Sequence, residues 1–385
     1  MRLGYTTADM PLSGYLPWLG VAGTGLMLAL AGVALAWAIE RLGTAEGIRP
    51  RLRAAAVPTA VIITIMVLGP VLGMRGAQPA EGKPVVIGMV QGNVDGTAGS
   101  HALGYARSVT NNHLSETIML AAKVQTGQQH MPDFLLWPEN STDVDPTKDT
   151  ETAQLISEAR RFAERPILVG AVMEGPGPDE RQTTALWWTT QDAVAARYDK
   201  RNLVPFGEYI PMRNTLLPIM PILKQVGRQS VPGHGPGVLN VKLQDGRQLR
   251  IGDVICFELA WDSTVHDTVG HDAQLLVVQS NNATYTATAQ PRQQFAITRV
   301  RAMELRREVV VSTTSSFSGH IDPHGRVIDR TRESTAASAS YLVPLRSGRT
   351  PALLIGPWLE RGASLVALVA LGLGLWLPRR PMTAR

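Results

Sequence analysis

The chain has one cysteine, Cys256, in 385 residues. A lone thiol forms no disulfide within its own chain and offers too few ligands for a Cys-based zinc site. What remains is a buried inert residue or a nucleophile. The eight histidines are scattered and none stands in an HExxH arrangement. His266 and His271 are five apart, off a shared helical face, so a metal centre is not expected. The glycine-rich "GHGPG" at residues 233–237 lacks the Lys-Ser/Thr ending and the following helix of a phosphate loop, and reads as a turn. Asn140-Ser-Thr and Asn282-Ala-Thr match the glycosylation sequon, a pattern too short to carry weight. There is no repeat of fixed period and no long low-complexity tract, and Gly 36 with Pro 26 lies in the range of folded proteins, which excludes a disordered chain.

Charge is missing from the ends. No charged residue lies between Met10 and Ile39, and the core of that run, about residues 15–39, is long enough to cross a hydrocarbon layer of roughly 30 Å. A second uncharged run covers about 54–74, and a third, shorter one about 362–378. Hydrophobic content of 44% and a mean hydropathy of +0.01 are too low for a fully polytopic protein, so the spans flank something water-soluble. The first run is too long for a cleaved signal peptide and has no basic leader beyond Arg2. Arg41, Arg49, Arg51 and Arg53 separate the first two runs, and Arg379, Arg380 and Arg385 follow the third. Those two places are expected to be cytoplasmic, with the intervening segment and the short N-terminus outside. This placement also accounts for much of the net charge of +5, so nucleic-acid binding is not needed to explain it. The expected organisation is a membrane region at 1–75, a linker at 76–84, an extracytoplasmic domain at 85–345 and a C-terminal helix with a basic tail at 346–385.

The middle alternates strand-like and helix-like segments. "VVIGMVQGNV", "DFLLWPE", "RPILVGAVM", "LRIGDVICFE", "AQLLVVQSNN" and "VVVSTT" read as strands, "ALWWTT" with "AVAARYDK" as a hairpin-like pair, and "HIDPHGRVID" as a turn-and-strand unit. "YARSVTNNHLSETIMLAAKV", "ETAQLISEARRFAE", "STVHDTVGHD" and "QPRQQFAITRVRAMELRRE" read as helices. Alternation of this kind predicts a layered α/β domain with sheets covered by helices.

Three chemistry-bearing residues follow strand-like runs: Glu139 in "FLLWPEN", Lys200 in "ARYDKRNLVPFGEYIP" and Cys256 in "GDVICFELAWD". Strand ends are where an α/β fold gathers side chains from distant parts of the chain. A carboxylate there takes a thiol proton, the thiolate attacks a carbonyl carbon, and an ammonium lowers the thiol pKa and then holds the oxyanion. After "FGEYIP" comes "RNTLLPIMPILKQVG", an apolar loop close in sequence to Lys200. It reads either as a lipid-facing arm carrying Met212, Leu216, Leu217, Ile219, Met220 and Ile222, or as a short core helix. Pro218 and Pro221 argue against a regular helix.

"WPE", "DKRNLVPFGEYIP" and "ICFE", in that order, resemble the motifs of the carbon-nitrogen hydrolase (nitrilase) superfamily. The middle motif is similar to that of its apolipoprotein N-acyltransferase branch. The resemblance runs from "VVIGMVQGNV" to "IDPHGRVID" and takes in "QQFAITRVRAMELRREVVV". It implies an α/β fold, a nitrilase-like α-β-β-α sandwich flanked by transmembrane helices, in a bacterial inner-membrane protein. It also implies Glu139 as general base, Lys200 as oxyanion-stabilising cation and Cys256 as acyl-accepting nucleophile, with Glu208 and Glu258 as supporting carboxylates and Phe257, Asn281 and Asn282 beside them. No metal or organic cofactor is implied. The implied reaction moves an acyl chain from a phospholipid, through a Cys thioester, to the α-amino group of a diacylglyceryl-modified apolipoprotein. The alternatives are a membrane-anchored amidase of the nitrilase type, or an inactive scaffold.

The chain departs from the family pattern in three places. Phe257 stands where many members have Tyr, and "NNATYTA" stands where many have an Asp- and Trp-bearing segment. Members usually carry several more spanning helices upstream, so the chain is expected to be a natural short form, a mis-assigned start or a fragment.

Overall fold

The structure, a computed structural model, describes residues 2–44, 47–75, 78–94 and 107–376. In chain order they form helices α1 (Leu16–Thr44) and α2 (Ile48–Gly73), strand β1 (Val85–Gln91), α3 (Ser108–Gln125), β2 (Phe134–Leu136), α4 (Thr150–Ala163), β3 (Ile167–Glu174), β4 (Glu180–Trp188) and β5 (Val194–Asp199). There follow α5 (Arg213–Ile219), β6 (Gln229–Ser230), β7 (Val238–Lys242), β8 (Gln248–Ile255), α6 (Asp262–Gly270), β9 (Leu275–Ser280) and α7 (Gln290–Leu305). The run closes with β10 (Val309–Thr313), β11 (Gly319–Ile321), β12 (Val327–Arg330), β13 (Ala337–Val343) and α8 (Pro351–Trp376). The chain divides into two compact units, Met1–Ala77 with Thr350–Arg385, and Gln78–Arg349.

In the first unit α1 with the turns before it, α2 and α8 are each long and apolar enough to cross a membrane. All three outrun the sequence expectation. α1 continues to Thr44, α2 starts at Ile48 and α8 starts at Pro351. Arg49, Arg51 and Arg53 therefore occupy the first turns of a helix, not a loop, since arginine is a good helix former and Pro50 falls in the first turn, where no intrahelical N–H is needed. The early start of α8 takes Glu360 and Arg361 into the helix, with Glu360 paired to Arg2 and Arg361 stacked over Trp358. The basic tail with Arg379, Arg380 and Arg385 lies outside the described residues. The 3-10 turn before α1, Pro11–Tyr15, meets α2 through small residues. A Cβ on Gly14 would fall 1.8 Å from the Gly69 carbonyl oxygen, and one on Gly69 would fall 2.3 Å from that of Pro11. Two aromatic donors cross the same contact, Tyr15 Oη to Ile65 O at 2.9 Å and Trp18 Nε1 to Leu72 O at 3.0 Å. Small residues and interhelical hydrogen bonds are what hold helices together where burial from water contributes nothing.

The second unit is two sheets face to face. One has the order β13-β1-β2-β3-β4-β5 with β6 on β4, and the other runs β12-β11-β10-β9-β8-β7. Each keeps a parallel trio at its centre, β1-β2-β3 and β8-β9-β10. Period-two side chains sort into layers. Ile87, Met89, Phe134, Leu136 and Trp187 meet Ile251, Ile255, Val277 and Val310 between the sheets. Val90, Leu135, Trp137, Val169 and Leu186 pack outward on Leu114 and Leu120 of α3 and Ile156 and Ala159 of α4. Behind the second sheet, Gly252 faces Thr268 of α6, while Val278 and Val311 lie with Phe295 of α7. This is the expected α-β-β-α sandwich.

Most expected elements stand, with shorter ends. "DFLLWPE" supplies a strand of only three residues because Pro138 has no N–H to continue the ladder. β6, β7 and β13 are additions. β13 closes the first sheet against β1 in antiparallel register, Val85 opposite Val343 through Gln91 opposite Ala337. The core-helix reading of "RNTLLPIMPILKQVG" is overturned, because neither α5 nor the 3-10 turns at Pro221–Val226 bury a residue. The prolines do not prevent a helix either. α5 forms with Pro218 inside it and ends at the following residue.

Candidate active site

Glu139, Lys200 and Cys256 converge where β2, β5 and β8 end. Trp137 N still pairs with Leu168 O at 2.9 Å, and Gln279 Nε2 holds Trp137 O at 2.6 Å, so the chain leaves β2 in a fixed direction before Pro138 and Glu139. Gly170 makes room for it, since a Cβ there would lie 2.2 Å from Pro138 O and 2.7 Å from Glu139 Cα. Lys200 follows β5 directly. Its main chain is tied by Lys200 N to Thr183 O and Gly233 N to Lys200 O, both 2.9 Å. The "GHGPG" turn thus backs the lysine.

The charged pair is almost sealed from water, with Lys200 1% and Glu139 4% exposed. Lys200 Nζ donates to Glu139 Oε1 at 2.9 Å and to Glu208 Oε1 at 2.8 Å. Glu139 Oε2 accepts from the main-chain N–H of Asn281 at 2.8 Å, and Glu208 Oε2 from that of Val204 at 2.7 Å. Burial pulls the Lys200 ammonium down, but Glu139, Cys256 and Glu208 together hold it well above the ordinary lysine value. It stays charged at any working pH.

Cys256 opens a 3-10 turn, Cys256–Ala260, with φ of 53°. A non-glycine residue in the left-handed region persists only where its surroundings fix it, at a cost of about 1–3 kcal/mol. Glu258 does the fixing. Its carboxylate accepts from Ile255 N at 2.9 Å, Arg201 N at 2.7 Å, Asn202 N at 3.2 Å and Tyr198 Oη at 2.9 and 3.0 Å. One side chain thereby joins the nucleophile turn to the segment carrying Lys200.

The thiol differs from expectation. Burial pushes Cys256 up and Glu139 adds to it, while Lys200 and the Ser280 hydroxyl pull down; the result is about 12. The ammonium does lower the thiol pKa, but it is outweighed, so the resting sulfur is protonated and depends on a base when substrate arrives. Asp253, three residues earlier on β8, is fully buried, and neither of its oxygens has a partner among the described residues. Burial, with Glu258 and Glu139 nearby, holds it well above the usual carboxylate range, so it is a neutral acid.

Of the remaining expected residues, Asn281 contributes its backbone to Glu139 and its side-chain oxygen to Ala283 N and Thr314 Oγ1. Asn282 is buried, with Oδ1 3.4 Å from Ser280 Oγ. Phe257 is partly exposed, edge-on to Trp261 with ring centroids 6.3 Å apart. It lines a cavity of about 290 Å³ with Cys256, Val204, Leu259, Ala260, Tyr285, Ile297 and three glutamines of α7. The α5 segment is apolar and exposed, Met212 at 72%, Ile219 at 71% and Ile222 at 66%, with Met220 also exposed and Leu216 and Leu217 half-buried. Sequence reasoning missed Tyr198 and Ser280. Both sit at strand ends beside expected residues, which was the one available signal.

Among the described residues, one group has the donor atoms for a metal: Asp262, His266 and Glu304. Arg301 already fills it, with Nη2 2.7 Å from Asp262 Oδ1 and Nη1 2.5 Å from Glu304 Oε2, so the carboxylates are neutralised by a resident cation.

Comparison with known proteins adds three findings. Residues 118–342 match the carbon-nitrogen hydrolase family. Apolipoprotein N-acyltransferase of Mycolicibacterium smegmatis is 33% identical over 85% of this chain and 55% of its own length, and that of Haemophilus influenzae is 21% identical over 92% and 66%. The chain thus spans little more than half to two thirds of these curated relatives. A nitrilase-superfamily amidase from Nesterenkonia AN1 is 18% identical, with 76% of this chain and 99% of that chain covered at a TM-score of 0.49.

Proposed function

Because the chain belongs to the carbon-nitrogen hydrolase family, we propose that it is a membrane-held N-acyltransferase that takes an acyl chain from a phospholipid and places it on the α-amino group of a diacylglyceryl-modified apolipoprotein. The observation that carries this reading is the cavity beside Cys256, whose apolar wall of Phe257, Leu259, Tyr285 and Ile297 suits a hydrocarbon chain better than a small polar amide. The names of the relatives support the same reaction.

In the first half-reaction Glu139 takes the Sγ proton and Cys256 attacks the ester carbonyl carbon. The oxyanion forms beside Lys200, a preorganised cation in a water-poor site. As the carbon–oxygen bond breaks, Glu139 returns the proton to the departing glycerol oxygen, leaving a thioester and a lysophospholipid. In the second, the amine attacks the thioester, Glu139 accepts a proton from the nitrogen, and the sulfur leaves and is reprotonated as the amide forms. Glu258 keeps the nucleophile turn in place through both halves, and Glu208 shares the lysine charge. The exposed apolar arm at α5 and Pro221–Val226 meets acyl chain or membrane surface. With apolar helices before and after the catalytic unit in the chain, a lipid donor is presented at high effective concentration. The catalytic unit faces the extracytoplasmic side, as the arginines at the helix ends direct.

The test is to incubate the purified full chain with phospholipid vesicles and a diacylated lipopeptide bearing a free α-amine, with an N-acetylated lipopeptide as control. Gain of one acyl mass by the free-amine peptide alone is expected. Release of free fatty acid with the peptide unchanged identifies a hydrolase instead, and no turnover of either kind identifies a scaffold.

A further inference from the structure

Residues 209–244 contain no aspartate or glutamate, while Arg213, Lys224, Arg228 and Lys242 all fall within them. The first part of this acid-free run is an excursion closed at its neck. Ser230 N donates to Glu208 O at 2.8 Å, Ile210 N to Gln229 Oε1 at 2.7 Å, and Gln229 Nε2 to Gly227 O at 3.0 Å. Between these ties the chain leaves through α5 and returns through Pro221–Val226 without burying a residue.

Apolar and basic groups are sorted along the excursion. Ile219, Met220 and Ile222, all exposed, stand where the outgoing and returning segments meet. Arg213 and Arg228 stand at the neck, with Arg213 Nη1 3.3 Å from Gly227 O and Arg228 directly before Gln229, and exposed Lys224 lies on the return. Among the described residues, Arg213, Lys224 and Arg228 form no ion pair, and the acids packed beside the neck are otherwise engaged. Glu208 holds Lys200 at 2.8 Å. Glu180 of β4, opposite Gln229 of β6, accepts Gly177 N at 2.9 Å, and Asp179 meets Gln229 N through its carbonyl at 2.9 Å. Arg181, next on β4, adds a further cation, its Nε 3.2 Å from Ser230 Oγ.

A hydrocarbon tip above a basic collar matches a bilayer surface of one kind. The tip enters the boundary of acyl chains and headgroups, and the collar comes to rest at headgroup level, where negative charge attracts it. A zwitterionic surface would take the tip but leave the cations without counter-charge. An acidic protein segment would answer the cations but leave the tip in water.

We propose that residues 211–228 dock on an anionic bilayer surface, with Ile219, Met220 and Ile222 entering the acyl boundary and Arg213, Lys224 and Arg228 meeting negatively charged phospholipid headgroups. This deepens the role given above to the apolar arm, and rests on it, by naming the class of lipid it selects. The neck is also part of the site, since Glu208 accepts Ser230 N through its carbonyl and Lys200 Nζ through its carboxylate. What docks the arm therefore also brings the catalytic lysine to the lipid.

Hydrogen exchange read by mass spectrometry on the full chain tests this without any turnover. The chain is placed in nanodiscs of phosphatidylcholine, in discs of equal parts phosphatidylcholine and phosphatidylglycerol, and in detergent, with peptides from β9 reporting that the fold is intact. Amides of residues 213–226 are expected to exchange more slowly in the anionic discs than in the other two. A cation at an anionic surface is worth about fivefold in binding, so Lys224→Gln should cut the added protection about fivefold. Arg213→Gln, Lys224→Gln and Arg228→Gln together should abolish it. Raising salt from about 0.1 M to about 1 M shortens the screening length from about 10 to about 3 Å and should erase most of it. Equal protection in both kinds of disc overturns the proposal, as does protection in neither, or protection that the triple variant retains. Protection that appears in detergent on adding the diacylated lipopeptide, and not with anionic lipid, overturns it in favour of the acceptor. Charge-dependent protection without any acyl transfer sinks only the acyl-transfer reading, whereas acyl transfer without such protection sinks only the docking.

Discussion

Replacing Lys200 by Met separates the two jobs assigned to this side chain. Lys200 is 1% exposed, with Glu139 and Glu208 at 2.9 and 2.8 Å from its nitrogen. Methionine fills a similar volume but leaves two carboxylates facing each other without a cation. Removing one partner of a buried ion pair costs about 3–5 kcal/mol, because the other charge stays buried and uncompensated. For a domain of this size that is a fall in melting temperature of about 6–20 °C at roughly 2–4 °C per kcal/mol. Adding Glu208→Gln removes one of the stranded charges, so the double variant is expected to regain about half of the lost stability. Its thioester formation should still be down at least about 100-fold, since the oxyanion has lost its cation. Thermal unfolding in detergent and mass-spectrometric acylation rates report the two effects separately. Lys200→Met melting with the wild type, or the double variant recovering acylation along with stability, would refute the reasoning.

Other consequences can be checked in the same preparations. Glu258→Gln replaces an acceptor-only group with one bearing an N–H₂ that must face a donor, which leaves at least one of Ile255 N, Arg201 N or Tyr198 Oη unpaired; a loss of about 1–3 kcal/mol is expected in denaturant unfolding. Because burial, with Glu139 adding, sets the thiol at about 12, the group is neutral at pH 7. Its alkylation should climb about tenfold per pH unit up to pH 10, and a plateau below pH 9 would contradict that. Ile219→Ser with Ile222→Ser, both on an unburied segment, should move stability by no more than about 0.5 kcal/mol, yet slow acylation from vesicles more than from a soluble acyl thioester. Gly170→Ala puts a Cβ 2.2 Å from Pro138 O, and the forced shift should cost about 1–3 kcal/mol and reduce acylation by displacing Glu139.

The sandwich and its three chemistry-bearing residues, Glu139, Lys200 and Cys256, were legible in the sequence for a local reason. Apolar runs that end in a lone Glu, Lys or Cys mark strand ends, and the order of the motifs joined them. The rest of the site was not legible because main-chain groups make it. Asn281 was expected for its side chain, but it reaches Glu139 through its N–H, and any residue but proline carries one. Glu258 was expected to orient the site, yet the identity of what it grips, Tyr198 and the N–H groups of Arg201 and Asn202, depends on which strand end lies opposite. β13 escaped because its inward residues include small Ala339 beside Tyr341 and Val343, too weak an alternation to stand out. The thiol misled for an electrostatic reason. A lysine nearby was read as lowering its pKa, whereas desolvation and the shared carboxylates act in the opposite direction.

The most direct measurement is the intact mass of the full chain after incubation with phospholipid vesicles, beside Cys256→Ala. An acyl-sized increase that hydroxylamine removes, that is absent from Cys256→Ala and that disappears when a free-amine lipopeptide is added, is the expected result. A chain whose Cys256 stays unmodified after prolonged incubation, while still open to alkylation by iodoacetamide, would contradict the acyl-enzyme reading.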